Sequence, residues 1–159
     1  MVGTVKAKPD GYHSVTPYLI VNNAAAAIDF YKRAFGATEL MRMDMPGGRI
    51  GHAEIKIGDS PIMLADEFPE MNARGPHAVG GTSVSIVLYV EDVDAIVKQA
   101  EKAGAKITRP LEDQFYGDRT AGLEDPFGHQ WHVATHKEDV SPEEMARRHE
   151  QYVKEKGLG

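Results

Sequence analysis

Two histidines and one glutamate carry the most chemistry in this sequence. His52 and Glu54 lie two positions apart in Arg49–Ile57, where Ala53, Ile55 and Ile57 alternate with polar residues. A period of two means a strand, so His52 and Glu54 share its polar face. His132 sits in a second such stretch, His129–His136. Two imidazoles and a carboxylate, if their strands converge, make a competent site for a divalent ion. Glu54 beside an imidazole can also serve as a general base, and we name it as the candidate catalytic residue. The structural alternatives are imidazoles that donate hydrogen bonds in a polar pocket and a salt-bridged or solvated Glu54. Arg119 follows Tyr116-Gly117-Asp118 in a loop. Its guanidinium can clamp a carboxylate or phosphonate with two parallel bonds, or pair with Asp118 or Asp113 as structural glue. Tyr116 is placed to close a pocket.

The composition excludes several other chemistries. The 159 residues contain no cysteine, which removes disulfides, thiol catalysis and thiolate metal sites. A net charge of −6 repels phosphate backbones, so nucleic acid is not expected as a partner. No apolar run approaches a membrane span, and Met1–Asp10 has no apolar stretch of the signal-peptide kind. The expectation is a cytoplasmic protein of one α+β domain.

The elements that must position these residues come in one order, twice. Val15–Val21 reads as a strand, with Pro17 placing it near an edge. Asn22 or Asn23 can cap the helix that follows, Ala24–Phe35, which Gly36 ends. Strands are predicted at Thr38–Met45, Arg49–Ile57 and Ile62–Ala65. The Gly-, Pro- and polar-rich stretch that follows reads as a linker or mobile flap over 67–82. The order then restarts: a strand at Val84–Val90, a helix at Asp92–Ala103 stopped by Gly104, and a strand at Ala105–Thr108. Pro110–Tyr116 is a connection or strand, and Arg119–Glu124 is a strand. The Asp125-Pro126-Phe127-Gly128 turn leads into the last strand. Thr16 and Ser85, Val21 and Val90, and Met63 and His132 are each 69 positions apart, while the two Gly-Ala helix stops are 68 apart. This spacing predicts two βαβββ modules, over 13–66 and 83–136.

Alternation then assigns the faces. Val84, Ile86, Leu88 and Val90 should face the helix, which sends Ser85, Val87 and Tyr89 to the concave side. Thr16, Tyr18 and Ile20 face the same way in the first strand, as do His52 and Glu54. Trp131 and Val133 belong under the second helix, and His132 in the pocket. Tyrosine, serine, histidine and methionine side by side suit a mostly apolar ligand with a few polar groups. Ser141-Pro142-Glu143-Glu144 is a strong helix start, and a C-terminal helix is expected over 141–156. Met145, His149, Tyr152 and Val153 give it a thin apolar stripe. His77, His136 and His149 have no partners in the pattern and are expected at the surface.

Four stretches in this order carry a family likeness: Phe30-Tyr31-Lys32-Arg33-Ala34-Phe35-Gly36-Ala37, Gly51-His52-Ala53-Glu54-Ile55 with Met63-Leu64-Ala65-Asp66, Tyr89-Val90-Glu91-Asp92-Val93-Asp94, and Tyr116-Gly117-Asp118-Arg119 with Asp125-Pro126-Phe127-Gly128-His129-Gln130-Trp131. Together they resemble the glyoxalase / bleomycin-resistance / dioxygenase (vicinal oxygen chelate) superfamily, and most of all its PhnB-like branch, over about residues 13–137. The resemblance implies paired βαβββ modules whose strands form a curved mixed sheet around a pocket, and a homodimer. It also implies metal ligands on the first and last strand of each module. Those positions here hold Thr16, Met63, Ser85 and His132. Two hydroxyls, a thioether and one imidazole are a poor set for a hard divalent ion.

Two functions follow as expectations. One is a metal-free protein that binds a small, partly aromatic molecule through Thr16, Tyr18, His52, Met63, Ser85, Tyr89, Tyr116, Arg119 and His132, with no cofactor. The other is a lyase, isomerase or dioxygenase using a divalent metal at a displaced site of His52, Glu54 and His132.

Overall fold

The computed structural model describes residues 3–159. The chain divides into two compact units. The first comprises residues up to Thr82 together with Pro126–His129, and the second Ser83–Asp125 and Gln130–Gly159.

The first unit holds β1 (Tyr18–Val21), α1 (Ala24–Phe35), β2 (Thr38–Asp44), β3 (Ile50–Ile57), β4 (Ser60–Asp66) and a short α2 (Pro76–Val79). Its sheet has the order β1-β4-β3-β2, with β1 parallel to β4 and the other pairs antiparallel. The second unit repeats this with β5 (Ser85–Tyr89), α3 (Val93–Ala103), β6 (Lys106–Asp113), β7 (Asp118–Glu124) and β8 (Gln130–His136), in the order β5-β8-β7-β6. It adds α4 (Pro142–Lys156). Each module thus builds its own four-stranded mixed sheet, and no ladder joins the two among the described residues. The repeat is visible in the register: Tyr18 pairs with Met63, and 69 positions on Val87 pairs with His132.

Each helix starts where a side chain satisfies its first amides. Asn23 caps α1 by accepting from the Ala26 amide at 3.1 Å, and Asp92 caps α3 by accepting from Ala95 at 3.0 Å. A second acceptor comes from the last strand of each module. Asp66 is buried and accepts from the amides of Ala24 (2.8 Å) and Ile50 (2.6 Å). At the matching place Thr135 accepts from Val93 and donates to the Val90 carbonyl, both at 2.9 Å. These bonds lock helix to strand, because buried amides without partners would cost free energy.

The helices cover one face of each sheet. Ile28, Tyr31 and Phe35 of α1 are buried in the same unit as Leu19, Val21, Ala53, Ile55 and Leu64. Phe127 of the Asp-Pro-Phe-Gly turn belongs to this unit, 6.2 Å from the Phe30 ring. His77, expected to stand alone, bonds the Pro126 carbonyl at 2.9 Å. In the second unit Val93, Val97 and Ala100 of α3 are buried, as are Ala121, Leu123, Trp131 and Val133. The Trp131 indole donates to Asp125 at 2.9 Å, so that carboxylate serves the core and not only the turn.

Several boundaries need correction. β1 starts at Tyr18, not Val15, so Thr16 precedes the strand. Val84 lies outside β5 and is 69% exposed. The segment 67–82 is a folded connection, with a bridge between Phe68 and Ala73, a 3₁₀ turn at Pro69–Met71, and α2. The Arg49 guanidinium lies 4.3 Å over the Phe68 ring. β6 runs unbroken through Pro110, where the sequence pattern predicts a strand end. It is an edge strand, so the missing proline amide is tolerated, and the register shifts between Arg109 and Glu112.

Helix α4 buries no residue, though Met145, Tyr152 and Val153 are half-buried. Ser141 caps it by accepting from Glu144. Phe115 stacks near Tyr152 at 5.0 Å and His149 at 5.7 Å. Arg148 bonds Glu138, Glu144 and the Phe115 carbonyl. Gly117 allows the loop beneath to close: its φ is 98°, and a Cβ would lie 2.3 Å from the Glu138 carbonyl oxygen.

Candidate functional site

Each sheet leaves the face opposite its helix open, and the candidate residues divide between these two faces. On the first, His52 is held at both ring nitrogens. The Tyr18 hydroxyl is 2.9 Å from Nδ1, and Glu54 Oε1 is 3.0 Å from Nε2. The other Glu54 oxygen accepts from the Tyr12 hydroxyl. With Nε2 protonated toward the carboxylate, Nδ1 accepts from Tyr18, and the four groups form one continuous chain. Burial raises the Tyr18 pKa above the ordinary phenol value, so its hydroxyl stays protonated at neutral pH. Met63 is half-buried, paired with Tyr18 on one side and with Glu54 on the other. Tyr12 lies before the first predicted element and has no periodic signal, so sequence reasoning missed it.

The open face of the second sheet forms a cavity of about 350 Å³. Val87 and Tyr89 of β5, Arg109, Pro110 and Glu112 of β6, and Asp118, Thr120 and Gly122 of β7 line it, with His132 and Ala134 of β8. Gln114 and Tyr116 of the β6–β7 loop and Tyr152 of α4 complete the wall. Tyr89 donates to Asp118 at 2.9 Å, and this bond, with burial, raises the phenol pKa. The second Asp118 oxygen bonds His136 Nδ1 at 2.7 Å, and His136 Nε2 reaches Asp139 at 2.8 Å. Hydrogen bonds to Asp139 and then Asp118 raise the His136 pKa, so this residue, expected alone at the surface, is tied to the cavity wall. The side chains of Arg109 and His132 have no hydrogen-bond or ion-pair partner among the described residues.

Of the predicted residues, Tyr89, Tyr116 and His132 line this cavity, and Tyr18, His52, Glu54 and Met63 gather on the first sheet. Ser85 opens β5, exposed and paired with Gln130, outside the cavity wall. Arg119 is turned to the helix side. It holds Asp94 of α3 with two bonds, at 2.8 and 3.0 Å, and reaches Asp113 at 3.3 Å. Of its two possible uses, ion pairing is the one present, with Asp94 and Asp113 and not with Asp118, while Arg109 is the arginine that lines the cavity. Arg109 falls between the predicted strand Ala105–Thr108 and the stretch from Pro110, and a residue in a connection has no predictable face. Gly122 had a signal: the 68-residue offset aligns it with Glu54.

The residues do not fit the metal that the scaffold's likeness implies. Among the described residues no group of three His, Asp or Glu could hold an ion, so the displaced triad of His52, Glu54 and His132 does not form. His52 and Glu54 belong to one unit and His132 to the other. The four positions at which the likeness implies ligands, of which Thr16 lies before β1, offer one imidazole, one thioether and two hydroxyls. No helix among the described residues is long and apolar enough to cross a membrane.

Comparison with known proteins sets these faces in context. Residues 11–133 match the family model of the Glyoxalase/Bleomycin resistance protein/Dioxygenase superfamily. An uncharacterized protein of Mycobacterium bovis is 42% identical over 135 residues, covering 83% of this chain and 89% of its own. Among solved structures, TioX from Micromonospora sp. ML1 aligns with a TM-score of 0.63 and 28% identity, over 78% of this chain and 98% of that one. The PhnB protein from Bacillus cereus shares the fold, with a TM-score of 0.60 at 17% identity, over 77% of this chain and 99% of its own.

Proposed function

Because the chain belongs to the Glyoxalase/Bleomycin resistance protein/Dioxygenase superfamily, we propose that it binds a small, partly aromatic molecule on the open face of its second module. Binding proceeds without a metal. The observation that carries this reading is the 350 Å³ cavity, whose wall combines three tyrosines with an unpartnered His132 and Arg109. That size lies in the ordinary range for small-molecule sites. Tyr89, Tyr116 and Tyr152 offer flat apolar area with polar tips. Each residue's job is to bind or orient: the tyrosines stack, and His132 supplies one hydrogen bond.

Ligand-observed NMR with a collection of aromatic fragments tests the reading. Hits should raise the melting temperature by mass action and shift the His132 imidazole signals. Metal analysis of the same sample supplies the counter-test. A stoichiometric divalent ion that is lost in His132→Ala would overturn the metal-free reading.

We also propose a homodimer. Large exposed side chains on the open faces, including Tyr18 at 48% and Tyr89 at 61%, favour cover by a second copy. Light scattering should give twice the chain mass, and a clean monomer mass would end the proposal.

A further inference from the structure

We infer that the second module's cavity selects aromatic ligands that carry a carboxylate, and that Arg109 grips that group across a notch made by Gly122. This rests on the binding reading above and adds the ligand's charge and the residue that reads it. Gly122 pairs with Arg109 on one side and with His132 on the other. Arginine, glycine and histidine therefore form one row across β6, β7 and β8. Adjacent strands lie about 4.8 Å apart, so the backbones carrying Arg109 and His132 stand about 10 Å apart, and Gly122 puts no side chain of its own between them.

Gly122 also sets the path of the arginine. A Cβ there would come within 3.1 Å of Arg109 Cβ and Cγ and 2.8 Å of Thr108 Oγ1. The glycine lets the Arg109 stem lie close over β7.

The carboxylates on the cavity wall leave Arg109 available. Asp118 is occupied by Tyr89 and His136. Glu112 stands beyond Pro110, opposite Thr120, and lines a neighbouring hollow as well. Arg119 is fully engaged with Asp94 and Asp113. In a chain of net charge −6, an anion approaches only where a local cation outweighs the general repulsion. A guanidinium fork matches a carboxylate with two parallel bonds, which a neutral amide cannot reproduce.

The experiment titrates the full chain with benzoate, phenylacetate and 3-phenylpropionate, and separately with the three corresponding amides, following the His132 signals by NMR. Each acid should bind at least tenfold tighter than its amide. In Arg109→Gln that preference should vanish as acid affinity falls to that of the amide, and Arg109→Lys should keep a reduced preference. Equal affinity of acids and amides in the unaltered protein would overturn the carboxylate inference and leave the binding reading standing. An undiminished acid preference in folded Arg109→Gln would overturn the assignment to Arg109. If neither series moves His132, both readings fall.

Discussion

In the first module one row across the sheet reads Tyr18, Met63, Glu54, Met41; the matching row of the second reads Val87, His132, Gly122, Arg109. The scaffold is the same and the chemistry is inverted. Where the first module has a carboxylate on its central strand, the second has a glycine. Where the first has an edge methionine, the second has an edge arginine. The result is a row of side chains bonded to one another in one case and a cavity with unpartnered polar side chains in the other. Duplicated register thus preserves positions while freeing each copy to diverge. The helix anchors diverge more mildly, with Asp66 and Thr135 doing one job in two chemistries.

The anchors offer the largest test. Asp66→Ala strips acceptors from two buried amides and should lower stability by about 3 kcal/mol. Thr135→Val strips one, and about 1.5 kcal/mol is expected. Urea denaturation measures both, and equal losses would erase the difference between the anchors. Writing the first module's residue into the second comes next. Gly122→Glu should fill the notch, oppose the ligand's charge and weaken carboxylate binding more than tenfold, read by the same titration. On the first sheet, Glu54→Gln should cost up to about 1 kcal/mol, because the pair is partly open to water. It should also change the His52 tautomer seen by nitrogen NMR, whereas an unchanged tautomer would break the proposed order of the chain.

The smallest effect concerns pH. The raised His136 pKa means that the folded state holds the proton more tightly than the unfolded state. The stabilisation is therefore complete below the unfolded value of about 6.5 and is lost as pH rises through the folded value. His136→Gln should lower the melting temperature more at pH 5.5 than at pH 8.5. Glu144 runs the other way. Hydrogen bonds from Arg147 and then Arg148 lower its pKa to about 2, so its contribution is present above the ordinary glutamate range and fades as acid approaches that value.

Much of this was legible in advance. Helix α1 has its expected bounds, and one of the two asparagines before it is its cap, whereas Asp92, expected inside α3, caps that helix; the repeat spacing and the buried Trp131 follow from local pattern. β6 was not, because a proline inside a strand reads as a break unless the strand is known to be an edge. Thr16 was carried into β1 by residue type alone. For Arg119 the sequence leaves a clamp and an ion pair equally open, because a loop position has no predictable face. Asp94 lies 25 residues away, and only the packing of α3 on β7 brings them together.

The sequence by itself determined the two modules and their shared register, because periodicity, caps and turns act over a few residues. It also determined which side chains stand at the positions where the resemblance implies ligands, since that is a matter of residue type. Tertiary structure alone decided which arginine is free and which is bound, and that the second sheet's open face carries a cavity. Those outcomes depend on strand neighbours far apart in the chain, with Gly122 between Arg109 and His132 and Glu54 between Met41 and Met63.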